Sequence, residues 1–165
     1  MPVFVKAPPL VLLLAIIVLV AGLDQWTKWL ATALLDYGRP VAVLPILNWT
    51  LLHNEGAAFS FLNDAGGWQR WFFTVIAIVV SMAFLVWLCR TPNHHWLVRY
   101  SLALIIAGAL GNVIDRIRLG YVVDFISVHW QSQYYFPAFN IADMAITLGA
   151  MLMIADIFLN PEAHK

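Results

Sequence analysis

Two carboxylates in this 165-residue chain stand among apolar neighbours and are candidates for acid–base chemistry. Asp124 lies within Val122-Val123-Asp124-Phe125, just past one long apolar run. Asp143 opens another, with Asn140 three residues earlier on the same helical face. Either acid alone is explained by a helix cap or an ion pair. Two of them, arriving from different elements, suggest a shared site. When two carboxyl groups share a site, the charge on one opposes ionisation of the other, so the pair holds one proton near neutral pH. One member can then take a proton from water while the other donates to a carbonyl oxygen or a leaving nitrogen. That is hydrolysis by activated water in the manner of aspartic peptidases, and it needs no metal.

Other polar residues gather around these acids. Asp24 and Lys28 are four apart with the acid first, the favourable order for a helical ion pair, and a simple salt bridge near a helix end accounts for them. Gly108, Asn112 and Arg116 repeat every four residues, and Asp115 is three from Asn112, which gives a small-then-polar helical stripe. Gly108 and Gly111 allow a second backbone to approach closely, but do not explain the three polar residues beside them. Arg116 and Lys28 can neutralise some of Asp24, Asp115, Asp124 and Asp143, but not all four. Asn54, Asn112 and Asn140 are uncharged donors and acceptors suited to holding a peptide backbone, and Arg116 to binding a carbonyl or orienting acids.

The elements that must position these residues are apolar. The chain is 62% hydrophobic and 11% charged, with mean hydropathy +0.81, too oily for an ordinary soluble domain. Its nine basic and nine acidic residues cancel, so no basic field exists to hold nucleic acid. One cysteine, Cys89, excludes an internal disulfide and suggests no zinc cluster. Four apolar runs predict spanning helices near 10–30, 71–88, 96–117 and 141–159, joined by long segments 36–70 and 118–140. The first run has a signal-peptide alternative, weakened by the helical pattern that continues through Leu35. Four spans put both termini on one side and the two long connections together on the other. Lys6, Arg90, Arg99 and Lys165 hug the membrane on the terminal side, whereas Lys28, Arg39, Arg70, Arg116 and Arg118 are spread over more chain. The expectation is cytoplasmic termini. Trp26, Trp29, Trp68, Trp71, Trp87 and Trp96 fall near span ends, as interfacial belts require. Leu47 to Leu51 alternates and is followed by His53-Asn54-Glu55-Gly56, a short strand and turn, with Trp49, Phe59 and Phe61 placed to ride the headgroup region. The loop from Asn54 to Phe61 suggests a mobile flap, and Gly56 a turn at positive φ.

Five blocks, Asp24-Gln25-Trp26-Thr27-Lys28, Asn54-Glu55-Gly56-Ala57-Ala58-Phe59, Gly108-Ala109-Leu110-Gly111-Asn112-Val113-Ile114-Asp115-Arg116, Val123-Asp124-Phe125 and Phe136-Pro137-Ala138-Phe139-Asn140-Ile141-Ala142-Asp143, together resemble the lipoprotein signal peptidase (signal peptidase II) family over nearly the whole chain. The resemblance implies one membrane peptidase domain, an all-α four-helix bundle with a small extracytoplasmic sheet between helices one and two that cradles the substrate. It also implies an aspartic endopeptidase of the bacterial cytoplasmic membrane, acting on diacylglyceryl-modified prolipoproteins and cutting just before the lipidated cysteine; separately, a monomer is expected. No cofactor, nucleic acid or obligate protein partner is expected. Asp124 and Asp143 match the family's catalytic pair. Asn54, Gly56, Asn112, Arg116 and Asn140 are expected to position substrate, and Asp24, Lys28, Asp115 and Ala142 to support the site.

Three other functions would use parts of the same residue set. A Ser/Lys peptidase would use Lys28 with Ser60 or Ser127, but Asp24 keeps that lysine charged. A proton-coupled transporter subunit would carry its acids at mid-membrane, whereas these gather at one end. Only Asp156 lies elsewhere, about 20 Å along the helix from Asp143, and it reads as structural. A metal hydrolase would draw on His53, His94, His95, His129 and His164, whose spacing forms no ligand pattern.

Overall fold

The computed structural model describes residues 8–56, 68–130 and 134–161. Phe59, Ser60 and Phe61, the rest of the flap, and Lys6, His164 and Lys165 lie outside the described residues. Eight elements follow in order: α1 (Leu10–Leu34), β1 (Val41–Leu44), β2 (Leu47–Asn54), α2 (Trp68–Arg90), α3 (Trp96–Arg118), β3 (Val122–Trp130), β4 (Tyr134–Tyr135) and α4 (Ile141–Leu159). All four helices are long and apolar enough to cross a membrane.

The helices are not equivalent. In α3, 67% of the apolar stretch is buried, against 17–22% in the others, so α3 is the central post and α1, α2 and α4 pack around it. The outer helices turn large side chains such as Val18, Leu19, Val79, Met151 and Phe158 outward, where lipid is the natural solvent. Away from the polar residues, Leu13 and Ile17 of α1 and Leu88 of α2 close on Val98, Leu102, Ala103, Ile106 and Ala107 of α3.

Glycines set how closely the helices approach. A Cβ on Gly108 would collide with the Ala142 carbonyl of α4, and one on Gly149 would lie 2.7 Å from the Ser101 carbonyl of α3. The expected close approach at Gly108 is therefore a backbone contact. Gly111 serves a different neighbour: a Cβ there would sit 2.5 Å from the Asp24 carboxylate and 3.2 Å from the Ala142 methyl.

The sheet expected between the first two helices is present as β1 and β2, and it continues through β3 and β4 from the connection between α3 and α4. All pairings are antiparallel, in the order β1-β2-β3-β4. Strand β2 reaches Asn54, three residues past the alternating stretch, so His53 and Asn54 are strand residues and only Glu55 and Gly56 turn. A bulge between Trp49 and Leu52 sets the final register, which places Leu52 opposite Asp124 and Asn54 opposite Val122. Strand β3 is buried along most of its length, with Val123, Phe125 and Ile126 packed on Ala31 and Leu51. Phe139 exchanges backbone hydrogen bonds with Ile126 (3.0 and 2.9 Å), which ties the approach to α4 directly to β3.

The glycine contacts give a direct test. We expect Gly108→Val and Gly149→Val each to destabilise the protein by about 1–3 kcal/mol through overpacking. Gly22→Val should be tolerated, because a Cβ at Gly22 has no neighbour within 4 Å. Thermal unfolding in detergent measures all three.

Candidate active site

The polar residues form one continuous cluster where α1, α3, β3 and the start of α4 meet. Its base is Lys28, 3% exposed, whose ammonium lies 2.8 Å from Asp24, 3.0 Å from Asp115 and 2.9 Å from the Asn112 oxygen. The expected Asp24–Lys28 pair is therefore present, but it is buried and shared with a second acid rather than lying at a helix end. An ammonium has three hydrogens, and three acceptors surround it. Asp24 also accepts from the Ala142 backbone N–H (2.8 Å) in the first turn of α4, where a helix favours a negative group. Asp115 accepts from the Val123 N–H (3.0 Å), joining α3 to β3.

Above this base sit the two candidate acids. Asp143 is the third residue of α4 and forms a capping box with Asn140: the Asn140 oxygen accepts from the Asp143 N–H (2.9 Å), and Asp143 accepts from the Asn140 N–H (3.3 Å). Its other oxygen accepts from the Asn112 amide (2.8 Å). Asp124, 3% exposed near the start of β3, accepts from the Asn140 amide (2.8 Å) and the Asn54 amide (3.1 Å). Asn140, fully buried, thus touches both acids. Lys28 pairs with neither. Burial, and then the charge of Asp143, push the Asp124 carboxyl up to about 7, against the lowering effect of its two amide donors and of Lys28.

Every site residue expected from the sequence falls in or beside this cluster. Arg116 is half-buried one turn beyond Asn112, with its guanidinium over the Phe73 ring at 5.9 Å and its charge felt by Asp143, Asp124 and Asp115. Gly56 adopts φ +102°, and its N–H donates to the Asn54 oxygen (2.9 Å), so the turn holds Asn54 with its amide toward Asp124. Sequence reading passed over Gln25 as an individual site residue. Its amide donates to Asp115 (2.8 Å), to the Gly111 carbonyl (3.1 Å) and weakly to Asp24 (3.3 Å), lashing α1 to α3. The available signal was an amide inside an apolar run, which lipid tolerates only with partners.

The rivals fare unequally. Lys28 spends its hydrogens on Asp24, Asp115 and Asn112, and its contacts do not include Ser127; Ser60 lies outside the described residues. His53 stacks on Tyr121 at 3.9 Å and beside Tyr37 at 4.8 Å, and burial lowers its pKa. Among the described residues no group of three or more His, Cys, Asp or Glu side chains is arranged to hold a metal. Trp49, expected at the headgroups, is partly exposed and stacks on Phe125 at 5.6 Å over an apolar cavity of about 220 Å³ along α1. Asp156, at the far end of α4, accepts from Asn160 (2.7 Å).

Four spanning helices and a small sheet that press two carboxylates onto one buried asparagine define a multi-pass membrane protein with a paired-acid site. Residues 16–159 match the family model described as signal peptidase II, and the chain belongs to that family. It is 61% identical over 145 residues to the lipoprotein signal peptidase of Acinetobacter baumannii, covering 88% of this chain and 82% of that protein. To the lipoprotein signal peptidase of Pseudomonas aeruginosa it is 53% identical over 151 residues, covering 91% and 89%. A bacterial membrane enzyme solved by the in meso method at 2.3 Å superposes with a TM-score of 0.83 at 34% identity, over 97% of this chain and 95% of that one. Family membership makes the chain a peptidase.

The turn at Gly56 yields a further expectation. A side chain there would meet the left-handed backbone and the Phe73 ring, whose nearest atom lies 2.7 Å from a Cβ. Gly56→Val should therefore lower turnover while the spans remain folded. Steady-state kinetics on a lipidated peptide measure it, and wild-type turnover would make the loop a passive cover.

Proposed function

We propose that this chain is an aspartic endopeptidase of the bacterial cytoplasmic membrane that removes signal peptides from diacylglyceryl-modified prolipoproteins, cutting N-terminal to the lipidated cysteine. The observation that carries the reading is the pair Asp124 and Asp143 joined through Asn140, with no ion pair from the nearby Lys28, in a chain whose relatives are lipoprotein signal peptidases.

In this mechanism Asp124 holds the shared proton at neutral pH, in keeping with its raised pKa, and Asp143 is ionised. Asp143 takes a proton from water as the water oxygen bonds to the scissile carbonyl carbon. Asp124 gives its proton to the carbonyl oxygen, producing a neutral tetrahedral diol. The diol then returns a proton to Asp124 as the carbon–nitrogen bond breaks, and Asp143 passes its proton to the departing nitrogen. One water is consumed, and a carboxylic acid and the amine of the lipidated cysteine are released. Asn54 and Arg116, partly exposed polar neighbours of the pair, hold the peptide backbone. The site lies at the extracytoplasmic surface, both termini are cytoplasmic, and the enzyme acts as a monomer.

Asp124→Asn and Asp143→Asn should each abolish cleavage of a lipidated lipobox peptide in detergent, with a strong chelator leaving the native enzyme active. Residual turnover in either folded variant, or a zinc-restored loss, would remove the dyad. Activity requires one proton on the pair, so kcat/KM should fall as pH rises above about 7. The folded chain keeps a proton on Asp124 that the unfolded chain releases above the usual 3.8, so this group's contribution to stability is also lost as pH rises from about 4 to 7. Topology is tested by outside labelling of single cysteines in a Cys89→Ser background: Tyr134→Cys should label and Asn93→Cys should not. The opposite pattern would invert the orientation.

A further inference from the structure

Lys28 makes and breaks no bond in this mechanism, yet it decides how the Asn112 amide beside the acids is turned. An ammonium only donates. The Asn112 atom 2.9 Å from it must therefore be the carbonyl oxygen, which leaves the Asn112 nitrogen to face Asp143 at 2.8 Å. Asn140 is set in the same way by the donor-only Asp143 backbone N–H, 2.9 Å from its oxygen. Its nitrogen is thereby turned to Asp124 (2.8 Å), to the Asn112 oxygen (3.2 Å) and to the Val123 carbonyl (3.2 Å). Which end of an amide is oxygen is usually a choice between look-alike atoms, but here groups that can only donate make the choice.

We propose that Lys28 and Asn112 are positioning residues of the acid pair: the buried ammonium fixes the polarity of the Asn112 amide so that Asp143 meets hydrogens and never an oxygen, and thereby keeps Asp143 the ionised member. This deepens the reading above and rests on it. Were Asn112 reversed, its oxygen would face a carboxylate oxygen at hydrogen-bond distance. Two acceptors cannot share that contact unless Asp143 is protonated, and a protonated Asp143 cannot activate water. Among the described residues, the charged groups of the cluster that holds Asp143 are Asp24 and Lys28 on α1, Asp115 and Arg116 on α3, and Asp124 on β3. Of the two cations, Lys28 reaches the pair through a hydrogen-bonded amide and Arg116 only through space.

The test is the pH–rate profile of Lys28→Met, which keeps the stem and removes the hydrogens, assayed with the full-length enzyme on a lipidated lipobox peptide. We expect kcat to fall about 10²-fold with KM changed less than about threefold, the scale of a lost acid–base function. The acidic limb of kcat/KM should move up by about one pH unit or more, because ionising the pair is then harder. Because Lys28→Met strips two buried acids of their partner and can fail to fold, Asn112→Asp provides the second arm. It keeps size and keeps an acceptor for Lys28, but turns an acceptor toward Asp143, and should move the same limb in the same direction. A purely structural role would lower the amount of active enzyme without moving the limb. A wild-type acidic limb in either folded variant overturns the inference. Turnover in Asp143→Asn would instead overturn the dyad beneath it, so the two failures are distinguishable.

Discussion

The constraint on which this site depends is the burial of Lys28. A lysine 3% exposed in the interior of a helical bundle is stable only if its charge is matched and its hydrogens are used, and Asp24, Asp115 and Asn112 do both. Removing one partner from such a buried pair costs about 3–5 kcal/mol, a large share of a domain's stability. That requirement fixes where α1 and α3 must lie. It also recruits the other two pieces, because Asp24 uses its second oxygen to hold the first turn of α4, and Asp115 uses the same oxygen that meets Lys28 to hold Val123 of β3.

From that anchor the position of the two candidate acids follows. Val123 precedes Asp124 and Ala142 precedes Asp143, so the ion cluster grips the residue next to each acid. Asn140 then closes the gap from above, capping α4 through Asp143 while its nitrogen reaches Asp124 and the Val123 carbonyl. The acids are thus held close by groups that leave them without an ion pair to Lys28. Mutual repulsion and burial, the two causes that raise Asp124, are consequences of this arrangement rather than additions to it. The glycines complete it, since a methyl at Gly111 would occupy the space of the Asp24 carboxylate.

What the sequence revealed divides along local and non-local lines. The four spans were readable because apolar length alone defines them, and the helical pattern past the first run matches the end of α1 at Leu34, although α2 begins at Trp68. The link between Asn140 and Asp143 was readable because a capping box is a three-residue motif, and the positive φ of Gly56 because a turn beside Asn54 favours glycine there. The contact of Asn54 with Asp124 was not, because it depends on β2 pairing with β3 some 70 residues away and on a bulge that shifts the register. For the same reason the part of the sheet built from β3 and β4 was invisible: Val122–Trp130 reads only as an apolar stretch after a span. Gln25 and Gly149 were missed because neither residue type announces which neighbour it meets in three dimensions.

The central claim, that one proton resides on the acid pair at neutral pH and sits on Asp124, can be observed without turnover. Infrared difference spectra of the purified enzyme across pH should show a protonated-carboxyl stretch that disappears as pH rises through about 7 and is absent from Asp124→Asn. A native enzyme with no carboxyl band titrating in that range, or a band that survives in Asp124→Asn, would contradict the account.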